Sequence, residues 1–217
     1  MVDRVMAFVP GLREGYYSVQ PKQMCVNLPK NIDDHDILDD VEPEDMPLST
    51  PTNMSYFVVR LEFSELARMI VDAQPPPWSE SKTISAGDFI VLGNRIEESL
   101  RRLPAYFRLE NADDAEVKEM HRKMPALTMQ RAIMNLGAQV AVIRLHRPYL
   151  FRKSPSPPFH RSRDLCLQAA RQLLKIRQSM NNIRSSLAFA RSRISLVVHH
   201  LFVATLVLAM DLCFNKI

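Results

Sequence analysis

Glycine is scarce in this chain, with five residues in 217. Loops that cradle phosphates or bring backbone against a nucleotide are built from closely spaced glycines. None of the five belongs to a Gly-x-Gly-x-x-Gly run, a phosphate-binding loop or a Gly-x-Ser-x-Gly elbow. Dinucleotide, phosphate-cradle and serine-hydrolase chemistry of those kinds is therefore excluded. Cysteine is equally sparse: Cys25, Cys166 and Cys213 are odd in number and far apart. No pair has redox or metal-ligand spacing, a disulfide framework is not expected, and a reducing compartment is the natural reading. The one tryptophan, Trp78, follows Pro75, Pro76 and Pro77, a setting that suits a surface anchor or loop plug better than a base-stacking platform. No stretch alternates polar and apolar residues as a half-buried strand requires, and no internal repeat is present. The opening residues, MVDRVMAFVPGLREG, do not form a secretory signal: Asp3 precedes the apolar run, and Pro10 and Gly11 break it.

What is present is the material of a globular helical protein. Hydrophobic residues make up 47% and charged residues 24% of the chain, and its length suits one domain with a real core. Methionine (12) and leucine are common, and unbranched side chains of this kind favour helix. Proline is plentiful (15) but clustered, which marks linkers between helices. The formal charge of +4 is unevenly spread. Asp33, Asp34, Asp36, Asp39, Asp40, Glu42, Glu44 and Asp45 make residues 31–45 acidic, whereas 144–193 is arginine-rich. Those arginines accompany apolar helical stripes without interleaved aromatics, so a solvated face or an acidic partner is favoured over base readout.

Residues 1–54 are punctuated by Pro21, Pro29, Pro43, Pro47 and Pro51 and are expected to wrap irregularly over a helical body. From Ser55, Val59, Phe63, Leu66 and Ile70 fall on one helix face, up to the stop at Gln74-Pro75. A second helix over 85–103 carries Phe89, Leu92, Ile96, Leu100 and Leu103, with Ser85 and Asp88 as an N-cap pair and Pro104 as its stop. Residues 111–123 are polar and suit a short exposed helix or a loop. A helix over 126–145 carries Met129, Ile133, Leu136, Val140 and Ile143 and breaks or kinks at Pro148; 153–160 is read as a loop. Another, over 162–181, carries Cys166, Ala169, Leu173, Ile176 and Met180. The pattern predicts an all-α, irregular multi-helix array: an extended N-terminal segment (1–54) and a helical body (55–217) forming one domain.

The last helix, over 192–214, is apolar nearly all round, and residues 194–213 are long enough to cross a bilayer. A C-terminal membrane anchor is thus the alternative. His199, His200 and Asp211 within the segment argue against it, because ionisable groups are costly inside a membrane. The main reading places this helix at the centre of the soluble core.

Candidate chemistry is limited. The run Leu28-Pro29-Lys30-Asn31-Ile32-Asp33-Asp34-His35-Asp36 suggests a metal loop when read bare, and a metal-dependent or acid–base enzyme would draw on Asp33, Asp34, His35 and His146. The spacing lacks the central glycine and closing glutamate of a calcium loop, and Asn and Asp favour capped turns, so a solvated turn is the expectation. His146 and Arg147 are read as structural, with Arg147 pairing a carboxylate or helix carbonyls. His199 and His200 are adjacent, so their rings point about 100° apart on a helix, poor geometry for one metal. No catalytic, cofactor-binding or metal-binding residue is assigned.

The same run resembles the "LP-x-N-I-D-D-x-D" segment of the middle homology domain of fungal zinc-cluster transcription factors, on Leu28, Pro29, Ile32, Asp33 and Asp34. Asp3-Arg4 resembles the "DR" that opens the preceding helix, and 55–72 resembles the next helix. Leu145-His146-Arg147-Pro148-Tyr149-Leu150 is similar to the family's "LHRP-(F/Y)-L", and His199-His200-Leu201-Phe202 to a late helix. These motifs occur in the family's order and span residues 3 to about 214. The six-cysteine zinc cluster is absent, and Gly11-Leu12-Arg13 stands where the family has "GRP". The resemblance implies a non-enzymatic regulatory domain acting in RNA polymerase II transcription in the nucleus. Its partners would be transcription machinery or co-regulators, with a small-molecule effector held among helices near 129–143, 166–180 and 196–210. DNA contact and zinc would belong to a missing N-terminal module, and the chain is expected to be a fragment or truncated product of such a regulator.

Overall fold

A computed structural model describes residues 25–39, 41–75, 84–150, 159–181 and 195–214. Among these, the chain forms six α-helices joined by short 3-10 turns and no strand; an isolated bridge pairs Leu38 with Val41. The helices are α1 (Ser55–Asp72), α2 (Ala86–Arg102), α3 (Ala115–Lys123), α4 (Ala126–His146), α5 (Ser162–Asn181) and α6 (Ser195–Phe214). The expected all-α multi-helix array is what forms. Asp3, Arg4, Asp40, Trp78, most of the 153–160 loop and the start of the last helix at 192–194 lie outside the described residues.

Helical periodicity places most side chains where the sequence put them. In α1, Val59, Leu66 and Ile70 are buried and Phe63 packs beside them. In α2, Phe89, Leu92 and Ile96 are buried, and Leu103 is buried just past its end. Its start is fixed as expected: the Ser85 hydroxyl accepts the Asp88 N–H at 3.1 Å and donates to Asp88 Oδ2 at 2.7 Å. That reciprocal pair satisfies an otherwise orphaned backbone donor. In α5 all five predicted positions, Cys166, Ala169, Leu173, Ile176 and Met180, are buried. The ambiguous polar stretch resolves into a 3-10 turn (Glu110–Asp113) followed by α3, which Asp114 caps by accepting the Glu116 N–H at 2.9 Å.

The central helix is α4, not α6. Three apolar cores share it. Leu136, Val140 and Ile143 pack against α5 and α6; Ala141 and Leu145 pack against α1 and α2; Leu127 and Met134 pack against α1 and the Ala105–Phe107 turn. Small residues such as Ala132, Ala138 and Ala141 let neighbours approach α4 from several sides. The expectation that α6 sits in the middle is corrected. Val197, Val203, Ala204 and Val207 of α6 face the core, but Val198, Phe202, Leu206, Leu212 and Phe214 are exposed. An all-round apolar helix has no stripe to mark its buried side, so pattern alone could not distinguish centre from edge.

α6 is the described helix long and apolar enough to cross a membrane. Its contacts are those of a docked surface helix. Asp211, the acid that counted against an anchor, accepts two bonds from the Arg163 guanidinium on α5, at 2.8 and 3.1 Å. The membrane-anchor alternative gains no support from this arrangement.

Candidate functional site

Among the described residues, the sequence-selected motif residues fall in two places. The first is the segment before α1. Leu28 and Pro29 are exposed there, Ile32 and Asp33 are half-buried, and Asp34 is exposed on a one-turn 3-10 helix (Asp34–Asp36). The residue that holds the segment is Asn31, which is 2% exposed. Its side-chain amide donates to the carbonyls of Met46 (3.1 Å), Pro47 (3.3 Å) and Thr50 (3.2 Å). Its Oδ1 accepts the hydroxyls of Thr52 and Ser55, each at 2.7 Å. Its backbone N–H donates to Asp45 Oδ1 at 2.7 Å. Asp33 adds a bond by accepting the Asn53 N–H at 2.6 Å.

Asn31 lay in the run but was not singled out by sequence reasoning. The usable signal was an asparagine at the centre of a run otherwise made of acids: an amide both donates and accepts, which a carboxylate cannot do. Among the described residues, Asp33, His35 and Asp36 bring one donor atom each within 4.8 Å of one another and could hold a metal. Asp33 already accepts a backbone N–H, and His35 and Asp36 are exposed, so the cluster has the character of a solvated acidic turn. It is not joined to His146, which lies in the core at the end of α4.

The second place is the α4 terminus. Leu145, Tyr149 and Leu150 are fully buried, Arg147 is half-buried and Pro148 is exposed. The α-helix ends at His146, as the Pro148 break predicts, and the chain tightens into a 3-10 turn (Arg147–Tyr149), in which proline needs no N–H partner. Tyr149 stacks on Phe159 at 4.1 Å between centroids and donates its hydroxyl to the Ile84 carbonyl at 3.3 Å. His146 packs edge-on against Phe89 (5.1 Å), with Nδ1 3.1 Å from the buried Ser162 hydroxyl. Burial pushes its pKa down to about 4, so the ring is neutral at pH 7. The half-buried Arg147 acts electrostatically on the buried Cys166 thiol of α5. In α6, His200 is buried and His199 half-buried, with ring centroids 6.1 Å apart. Burial, and secondarily His199, pushes His200 down to about 4.

A cleft of about 760 Å³ opens among the described residues. Its walls are α2, the Arg108–Glu110 stretch, α4 and α5. It thus uses two of the three expected helices, and α2 takes the place of α6. Ala204 and Val207 of α6 pack into the α4–α5 core, and a smaller cavity of about 90 Å³ lies between α1, α4 and His200 of α6. The cleft has an apolar back formed by Phe89, Ile96, Leu100, Leu103 and Val142. Asn94, Gln139, Gln168 and Gln172 supply amides around it. Gly93, inside α2, also lines it, and a Cβ built there would meet nothing within 4 Å. A glycine within a helix costs about 1 kcal/mol relative to alanine, and here no close neighbour requires it.

No family model matches the chain, and no solved structure matches it. Curated fungal proteins do. "Probable transcription factor lepB" of Aspergillus flavus is 38% identical over 215 residues, covering 99% of this chain and 38% of that protein. "Agnestins biosynthesis cluster transcription factor AgnL11" of Paecilomyces divaricatus is 32% identical over 214 residues, covering 99% of this chain and 30% of that protein. "Transcription factor TAS2" of Pyricularia oryzae is 29% identical over 238 residues, again covering 99% of this chain and 30% of that protein. The chain therefore spans roughly a third of the length of the relatives it matches, and along nearly all of its own length it is similar to fungal proteins named as transcription factors.

Proposed function

We propose that these residues form a regulatory, non-DNA-contacting helical domain of a fungal transcription factor of the zinc-cluster type. The observation that carries this reading is the 38% identity over 99% of the chain to a protein named as a probable transcription factor, of which it covers 38%. A segment of that share fits one domain of a larger regulator. The placement of the motifs supports the same reading. Asn31 and Asp33 fasten an extended segment onto α1, and His146 and Tyr149 lie inside an aromatic core. These are scaffold roles, and they favour a non-enzymatic domain whose output is a change in helix packing. DNA contact and any zinc-bound cysteine cluster are assigned to parts of the regulator other than these 217 residues. The partners are co-regulators or the RNA polymerase II machinery in the nucleus.

The reading is tested by placing residues 1–217 between a heterologous DNA-binding domain and an activation domain in a fungal reporter strain. Reporter output should change several-fold relative to the same fusion without the insert. Equal output at equal fusion abundance overturns the proposal.

A further inference from the structure

An amide-rimmed cleft opens between α2, α4 and α5, with Asn94 and Gln168 exposed and Gln139 and Gln172 half-buried. Gly93 sits midway along α2 and leaves space that a side chain would enter, with no atom within 4 Å of where its Cβ would stand. The cleft volume of about 760 Å³ lies within the range of small-molecule sites, roughly 300–1,000 Å³. Its back is apolar, as described above. Around that back, the side chains of Asn94, Gln139, Gln168 and Gln172 form no hydrogen bond with another described residue. Each carries two donors and one acceptor. Asn135 commits its amide nitrogen to the Phe107 and Arg131 carbonyls, both at 2.8 Å, and keeps its carbonyl oxygen as an acceptor.

Charge selects the ligand further. Glu97 and Glu110 stand against Arg108 and Arg161 in the lining, so the formal charges balance. Arg108 is committed to the Leu103 carbonyl at 2.7 Å and the Arg101 carbonyl at 2.5 Å. Arg161 is exposed at the surface. No desolvated cation is therefore placed to hold an anion, and a cation would find only exposed carboxylates.

We propose that the cleft between α2, α4 and α5 binds an uncharged small molecule. It has an apolar body and carbonyl or hydroxyl groups at its edge, the first facing the leucine and phenylalanine back and the second the amides. Its role as an effector rests on the regulatory reading above; the binding itself does not.

The test uses the purified 217-residue chain, isotope-labelled for amide NMR, and two probes: neutral 4-chromanone and anionic naphthalene-2-sulfonate. Chromanone should shift the backbone signals of Gly93 and Asn94 and the side-chain amides of Gln139 and Gln168, and spare Asn31 and its neighbours. Gly93→Leu fills the space and should weaken binding at least tenfold while the circular dichroism spectrum is kept. Gln139→Leu preserves volume but removes the amide and should also weaken binding severalfold, which decides the matter if Gly93→Leu does not fold. Undiminished binding to both variants, shifts outside the cleft, no chromanone binding at all, or tighter binding of the sulfonate would each overturn the proposal. Chromanone bound in the cleft while reporter output equals that of the insert-free fusion overturns the regulatory reading alone. A several-fold change in reporter output without cleft binding overturns the cleft assignment alone.

Discussion

Replacing Asn31 with alanine would strip two hydroxyls of their acceptor and three carbonyls of a donor in one step. Several of these groups are shielded from water, and each buried polar group left unpaired costs about 1–3 kcal/mol. Asn31→Ala should therefore lower stability by roughly 3 kcal/mol. Asp34→Ala, at an exposed position of the same run, should stay within about 0.5 kcal/mol. Urea unfolding followed by circular dichroism separates the two, and equal losses would refute the fastening role of Asn31. The acidic residues drew attention in the sequence because charge is visible there. Burial and partner geometry are not, and they make the neutral amide the more consequential side chain.

Among the helices, amphipathic pattern located the buried faces of α1, α2 and α5, because each has a polar side to contrast with its stripe. α4 and α6 lack that contrast, and their roles emerged only from packing. Phe202 is 62% exposed on α6, whereas Val207 is fully buried on the opposite side. Phe202→Ser should leave stability within about 0.5 kcal/mol and reduce self-association on size-exclusion chromatography, since it removes surface apolar area. Val207→Asp places an unpaired charge in the α4–α5–α6 core and should cost more than about 3 kcal/mol. The reverse ranking would mean that α6 docks through its other face. The Arg163–Asp211 pair fixes the rotation of α6 about its axis. It joins residues 48 apart in the chain, a pairing no local pattern announces.

At the scale of the whole molecule, the two buried histidines make folding acid-sensitive. Burial depresses His146 and His200 from 6.5 to about 4 in the folded chain. Below pH 6.5 the unfolded chain binds protons that the folded chain refuses. Stability is thus complete at pH 7, falls as pH drops from 6.5 towards 4, and levels off for these groups below that. The loss is on the order of 3 kcal/mol per ring. Urea midpoints between pH 7 and 4.5 should fall steeply in the wild type and less steeply in His146→Gln/His200→Gln. An identical slope in the double variant would show that other groups carry the effect. The two rings sit on α4 and α6, so protonation strains two parts of the fold at once.

Composition and periodicity by themselves determined the helical class, the order of the helices, most of their ends and the buried stripe of each amphipathic one. Those follow from interactions within a few residues: capping bonds, proline's missing N–H and the 3.6-residue repeat. Only the tertiary structure decided that α4 rather than α6 is central, that Asn31 fastens the N-terminal segment, and that α2 closes a cleft over amides from α4 and α5. Each of these depends on which surfaces meet across long separations in sequence, and size, shape and unpaired polar atoms settle that choice where hydrophobicity alone leaves several packings equal.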